Sequence, residues 1–171
     1  MYLPAHFRED RVDVQHGLIG AHPLGTLITH GPGGLMANHV PFLLYPDEGE
    51  RGTLRAHLAR ANPQFAELQQ GGEVLVVFAG PADYVSPGWY ATKRETGKVV
   101  PTWNFVAVHV WGSPRLVDDA AWLHRQLEDL TNCHERAQPR PWQVDDAPAD
   151  FIAMQKRAIV GLEMPIARSE G

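Results

Sequence analysis

The hydrophobic and polar positions change period several times along the chain, and each change marks an element. After Pro4, which biases Leu3 toward extended backbone, Asp10 can cap a short helix over about 11–19. Val12, Leu18 and Ile19 give it a partial apolar stripe, and Gly20 stops it. The period then becomes that of strands. GTLITH (25–30), a GPGG turn (31–34) and GLMANHVPFLLY (34–45) predict a hairpin, and a polar DEGERG loop leads to a third strand, TLRAHLAR (53–60). Alternation in that strand sets Leu54, Ala56 and Leu58 against Arg55, His57 and Ala59.

Asn62 followed by Pro63 predicts a capped helix over PQFAELQQ (63–70), closed by Gly71 and Gly72. EVLVVFAG (73–80) is continuous and β-branched, the signature of a strand buried on both faces, and Pro81 is expected to end it. Residues 99–117 form a long strand in which Val106, Val108 and Val110 oppose Ala107, His109 and Trp111. The C-terminal third turns helical. Asp118 or Asp119 caps a helix with Ala120, Leu123, Leu127 and Leu130 on one stripe. Asp145 or Asp146 caps another, with Phe151, Ile152, Ala158 and Ile159 as its buried side, and AIVGLEMPIAR (158–168) returns as a strand. Short strands with helices between and after them predict an α+β fold, a small antiparallel β-barrel with peripheral helices.

Composition narrows the function. The 171 residues fit one domain over 1–171, and 44% hydrophobic with 20% charged residues is the balance of a soluble protein. A formal charge of −5 opposes a nucleic-acid grip, and the single cysteine, Cys133, fits a reducing compartment. There is no apolar run of membrane-span length and no secretion-signal order at Met1, so a cytoplasmic location is expected.

The unusual chemistry lies in Tyr84–Phe105. Tyr84, Trp89, Tyr90, Trp103 and Phe105 alternate there with Ser86, Thr102 and Asn104, and Lys93, Arg94 and Lys98 sit between them. Aromatic faces beside short polar groups and a phosphate-sized set of cations suit a planar, anionic ligand. The same composition also describes an aromatic hairpin at a dimer interface. A second candidate is Arg60 with Asn62, where a strand feeds a helix N-terminus and backbone N–H groups favour phosphate. Metal, hydrolase and nucleotide motifs are missing: nine histidines include no HExxH or HxH spacing, and no GxSxG, P-loop or GxGxxG sequence occurs.

The phrases MYLPAHF, ANHVPFLL, HLARANPQ, VFAGPADYVSPGWYATK, VVPTWNF and AIVGLEM, in this order, resemble the PaiB-type FMN-binding negative transcriptional regulators over nearly the whole chain. The resemblance implies the split β-barrel of pyridoxamine-phosphate-oxidase-like flavoproteins, a homodimer, and FMN in a groove between subunits. It assigns the flavin phosphate to Arg60 and Asn62, the ribityl chain or ring edge to His57, and further contacts to Ser86, Trp89 and Lys93 and to Thr102, Trp103 and Asn104. Asn38 and His39 are expected to line the same groove. The family's basic C-terminal tail with its K-x-SQN phrase has no counterpart before Gly171. The family name implies a regulator, with DNA contact that the charge does not support. A flavin-dependent oxidoreductase acting on a small substrate, or a protein that stores or senses FMN, is the alternative.

Overall fold

Strand alternation selects an inner face for each β segment, and two sheets close those faces around one core. A computed structural model describes residues Met1–Gly171. The elements in order are α1 (Val12–Ala21), β1 (Leu24–Gly31), β2 (Gly34–Pro41), β3 (Leu43–Tyr45), β4 (Thr53–Ala59), α2 (Gln64–Gln69) and β5 (Val74–Val85). They continue with α3 (Thr92–Thr96), β6 (Thr102–Gly112), β7 (Arg115–Val117), α4 (Ala120–Glu135), α5 (Ala149–Arg157), β8 (Ile159–Pro165) and β9 (Arg168–Glu170). One sheet has the order β2-β1-β5-β6-β9, the other β3-β4-β8-β7, and every pairing is antiparallel.

The core holds 17 buried apolar residues drawn from both sheets and from α1 and α2. Leu27, Leu54, Ala56, Val76, Phe78, Val110, Leu162 and Met164 are all fully buried, and Phe42 meets Phe78 edge-on at 5.8 Å. Each such Val, Leu or Phe contributes roughly 1.5–3 kcal/mol of transfer free energy. Ile19 of α1 and Leu68 of α2 enter this same core, so both helices close the barrel from inside rather than covering its outer surface.

Three predicted strands differ from the structure. GLMANHVPFLLY is two strands, because the chain leaves one sheet after Pro41 and β3 joins the other. Proline has no N–H to continue the ladder, and Phe42 turns into the core at 1% exposure. The long strand after Val99 likewise divides into β6 and β7, which lie in different sheets. Pro81 does not end β5: the register with β6 slips by one residue between Ala79 and Ala82, a bulge that absorbs the proline, and pairing resumes to Val85. β5 is also buried on one face only, Val74, Val76 and Phe78, while Leu75 and Val77 are half-buried.

α4 and α5 pack on the outer face of the four-stranded sheet. Asp119 caps α4 by accepting from the Trp122 N–H at 2.7 Å. Beneath α4, Arg55 donates to Glu163 at 2.7 Å and to Glu48 at 2.8 Å, and Arg115 donates to Glu163 at 2.9 Å. The buried stripe of α4 runs through Leu123 and Gln126, with Leu127 and Leu130 only half-buried. In α5 the predicted inner residue Phe151 is 47% exposed, and Ala158 is exposed. α5 begins after Pro148 rather than at an aspartate, since Asp145 and Asp146 lie in a separate 3-10 turn, Val144–Asp146.

Candidate functional site

The two predicted arms of the aromatic stretch become one hairpin. Beyond the bulge, β5 and β6 continue as a two-stranded ribbon with Ala82 opposite Phe105, Asp83 opposite Asn104, Tyr84 opposite Trp103 and Val85 opposite Thr102. Neither edge of this outer ribbon is paired, because β1 pairs with β5 no further than Val77 and β9 pairs with β6 no further than His109. Tyr84 and Trp103 meet edge-on at 6.2 Å. Trp103 and Phe105 are each 64% exposed, Trp89 73% and Val100 74%, values that a lone soluble subunit rarely gives to so many large side chains in one place.

The tip is not a plain loop. Ser86 caps a 3-10 turn, Pro87–Trp89, by accepting from the Gly88 N–H at 3.2 Å. Lys93 and Arg94 lie on α3, which stops at Gly97 in the left-handed conformation at φ +67°. Lys93, Arg94 and Lys98 are exposed and form no ion pairs, so their donors are free for an anion. Thr102 and Asn104 are exposed on the ribbon face opposite Trp103.

The other predicted residues lie away from this arm. Asn38 and His39 are neighbours on β2 and therefore face opposite ways: His39 is exposed on the outer side, and Asn38 is half-buried on the inner side. Asn38 donates to Gln64 at 3.0 Å and to Asn62 at 3.4 Å. Asn62 in turn accepts from the Gln64 N–H at 3.0 Å, so this first N–H of α2 is already satisfied by the cap. Gln64, fully buried, donates to the Leu27 carbonyl at 3.0 Å and ties these amides to β1. Gln64 was not recognisable beforehand, because a glutamine inside a short helix reads as a surface residue.

Arg60 is half-buried. It donates to the Arg157 carbonyl at 3.0 Å and pairs with Asp118. His57 points into the α4 side of β4, where its Nδ1 donates to Gln126 Oε1 at 2.8 Å. Within one chain, then, Asn38 and Asn62 come together, His57 and Arg60 lie under α4 and beside α5, and the aromatic arm stands apart from all four.

A surface with no predicted site residue except His39 links the arm to the rest. On the outer side of the five-stranded sheet, the register aligns His39, Thr26, Val77 and His109 in one row and Ala37, Ile28, Leu75 and Trp111 in the next. Ile28, Leu75, Val77 and Trp111 are half-buried. Arg168 stacks on Trp111 at 3.5 Å. Burial first, then the N-terminal ammonium, pushes the His109 imidazole below the usual histidine range. A groove of about 440 Å³ lies between the N-terminal segment, with Tyr2, Leu3 and Phe7 on its wall, and the β6 side of the arm, with Trp103, Phe105 and Ala107. Alternation groups Thr26 with Ile28, Leu75 with Val77 and His109 with Trp111 within their own strands, but strand pairing was needed to set the three strands' faces side by side.

The comparisons with known proteins agree with this architecture. A domain family described as "Putative FMN-binding domain" matches residues 1–168. An uncharacterized protein of Emericella nidulans, AN0679, is 36% identical over all of this chain and 82% of its own length. The Bacillus subtilis "Protease synthase and sporulation protein PAI 2" is 26% identical over 97% of this chain and 77% of its own length. Among solved structures, the flavocytochrome Anf3 of Azotobacter vinelandii superposes with a TM-score of 0.69 at 16% identity, over 98% of this chain and 70% of that one. The two closed antiparallel sheets are the split barrel of the pyridoxamine-phosphate-oxidase-like proteins, and the chain belongs to the PaiB-like FMN-binding domain family.

Proposed function

We propose that the chain is one cytoplasmic FMN-binding unit that works as a homodimer, with the flavin held between subunits by the aromatic arm. The observation that supports this most is the apolar outer face of the five-stranded sheet, continuous with the arm. A sheet face carrying Ile28, Leu75, Val77 and Trp111 gains stability by packing on another apolar layer, and a second copy supplies one by symmetry. Such packing brings the arm of one subunit toward elements of the other. That answers the separation, within one chain, of the arm from Arg60 and Asn62.

The donor set fits FMN. Tyr84 and Trp103 offer flat apolar surface for the ring system, Thr102, Asn104 and Ser86 offer short polar groups for its edges and ribityl hydroxyls, and Arg60, Lys93, Arg94 and Lys98 are cations for the phosphate. Asn38 and Asn62 supply amides, and His39 and Trp89 border the same surface; His57 would act from beneath β4. FMN bound there would supply one- and two-electron transfer, while these residues hold and orient it.

Between regulator and oxidoreductase, the regulator has more support. The side-chain hydrogen bonds of the arm, Ser86 with Gly88 and Thr96 with Thr92 and Lys98, only close its own turns, and no acid–base pair converges on it. The net charge of −5 leaves regulation to the flavin or a protein partner rather than to a duplex grip. The test is light scattering on the purified chain with an FMN titration, repeated for the double variant Trp103→Ala, Phe105→Ser. The expected result is a dimer with one FMN per subunit, and a monomer with at least about tenfold weaker FMN binding in the variant. A wild-type monomer, or a dimer that takes up no FMN, overturns the reading. Bleaching of the bound flavin by NADPH with recovery in air would move the assignment to the oxidoreductase.

A further inference from the structure

The sequence offers no metal motif, yet the fold gathers one set of metal-type ligands on α4 and the 3-10 turn packed against it. His124 and Glu128 stand one turn apart on α4, and Asp145 comes to them from the 3-10 turn Val144–Asp146. Their ligand atoms lie within 4.8 Å of one another. We propose that His124, Glu128 and Asp145 bind a Zn²⁺-class divalent cation that clamps this turn to α4.

The distances point to an ion between the groups rather than to direct contacts. His124 Nε2 is 3.6 Å from Glu128 Oε1 and 3.7 Å from Asp145 Oδ1, beyond an N–H···O hydrogen bond of about 2.7–3.2 Å. Those separations are close to the edge of a tetrahedron whose metal–ligand bonds are about 2.0–2.2 Å. The two carboxylates converge with no lysine or arginine paired to either, and neither accepts a hydrogen bond from elsewhere in the protein. The other ring nitrogen, Nδ1, is buried without a partner, so the protein gives this imidazole no hydrogen bond on either side. The cluster carries two carboxylates against one imidazole, and Nε2, which faces them, makes no hydrogen bond of its own, so its lone pair is available to a cation.

The site is also held in place before any ion arrives. Gln143 N–H donates to Asp146 at 2.9 Å, Trp142 N–H donates to Glu135 of α4 at 3.0 Å, and Val144 is buried. These contacts fix the turn, while Asp145, with its side chain 75% exposed, leaves room for water in the remaining coordination position. One imidazole with two carboxylates favours Zn²⁺ over Mg²⁺ or Ca²⁺, which prefer all-oxygen ligands. The ion would tie the Arg136–Asp146 connection to α4, and none of its three ligands is among the residues assigned to FMN, so the proposal is tested independently of FMN.

The full-length chain, stripped with chelator, would be titrated with Zn²⁺ by calorimetry and with Co²⁺ by visible spectroscopy. The expected result is one Zn²⁺ per chain, an increase in thermal midpoint on binding, and a tetrahedral Co²⁺ spectrum. His124→Ala and Asp145→Asn should each weaken Zn²⁺ binding at least tenfold and abolish the thermal shift. A Cys133→Ser, His134→Ala variant, altered at nearby groups outside the cluster, should keep both. Loss of binding in that control instead, equal binding by wild type and His124→Ala, or no binding by wild type leaves an ordinary ion-pair cluster and overturns the proposal.

Discussion

Glu163 illustrates how one residue couples charge to the fold. Its side chain is 12% exposed, and burial alone would raise its pKa. Hydrogen bonds and charge from Arg55 and Arg115 outweigh burial and hold it below the usual glutamate value of 4.5. A folded pKa below the unfolded one contributes stability that is present above about pH 4.5 and is lost as pH falls through the folded value. Glu163→Gln should therefore cost about 2 kcal/mol at pH 7, with the gap to wild type narrowing as acid is added. Urea denaturation of both proteins between pH 3 and 7 measures that gap. Arg60 is a residue-scale test of the cofactor assignment. Arg60→Ala should weaken FMN binding at least about tenfold if the guanidinium meets the phosphate, and FMN at 100 times the wild-type Kd should then stabilise it by clearly less than the ~2.7 kcal/mol expected for wild type. Unchanged FMN affinity by fluorescence titration would leave Arg60 a structural role only, through its Asp118 pair and its hydrogen bond to the Arg157 carbonyl.

At the scale of elements, the decisive contacts are those that alternation could not name. The inner and outer faces of β4 were legible, since Leu54, Ala56 and Leu58 are buried and Arg55 and His57 face α4, as their parity requires. The partner of that outer face was not legible. It is α4, whose Trp122 ring lies over Gly161 so closely that a Cβ there would overlap the ring. Gly161→Val should therefore push α4 off the sheet and cost roughly 1–3 kcal/mol, measurable by urea denaturation. Gln126, 2% exposed on the sheet-facing side of α4 and bonded to His57, was likewise invisible, because polar residues on a helix are read as solvent-facing. At the bulge after Ala79, proline signalled a stop, but a neighbouring strand carried the pairing past it.

At the scale of the whole molecule, one question unites the apolar sheet face and the arm: what covers the outer side of the five-stranded sheet. The arm is an extension of that sheet rather than an appended loop, so removing its aromatics should change assembly without disturbing the core. The double variant at Trp103 and Phe105 separates these, because neither side chain belongs to the buried cluster. No helix is long and apolar enough to cross a membrane, so the exposed apolar surface is not a helical span. By itself the sequence determined the helix and strand types, the inner parity of β4 and β6, and the phrases that carry the family, because these depend on neighbours one to four residues apart. Only the tertiary structure decided that the two aromatic arms pair as a ribbon, that Asn38 meets Asn62 through Gln64, and that His57 and Arg60 bond under α4 and α5. It also brought His124, Glu128 and Asp145 together across two elements. The reason is physical: each of these arrangements joins residues far apart in the chain, and distant residues meet only where sheet register and core closure place them.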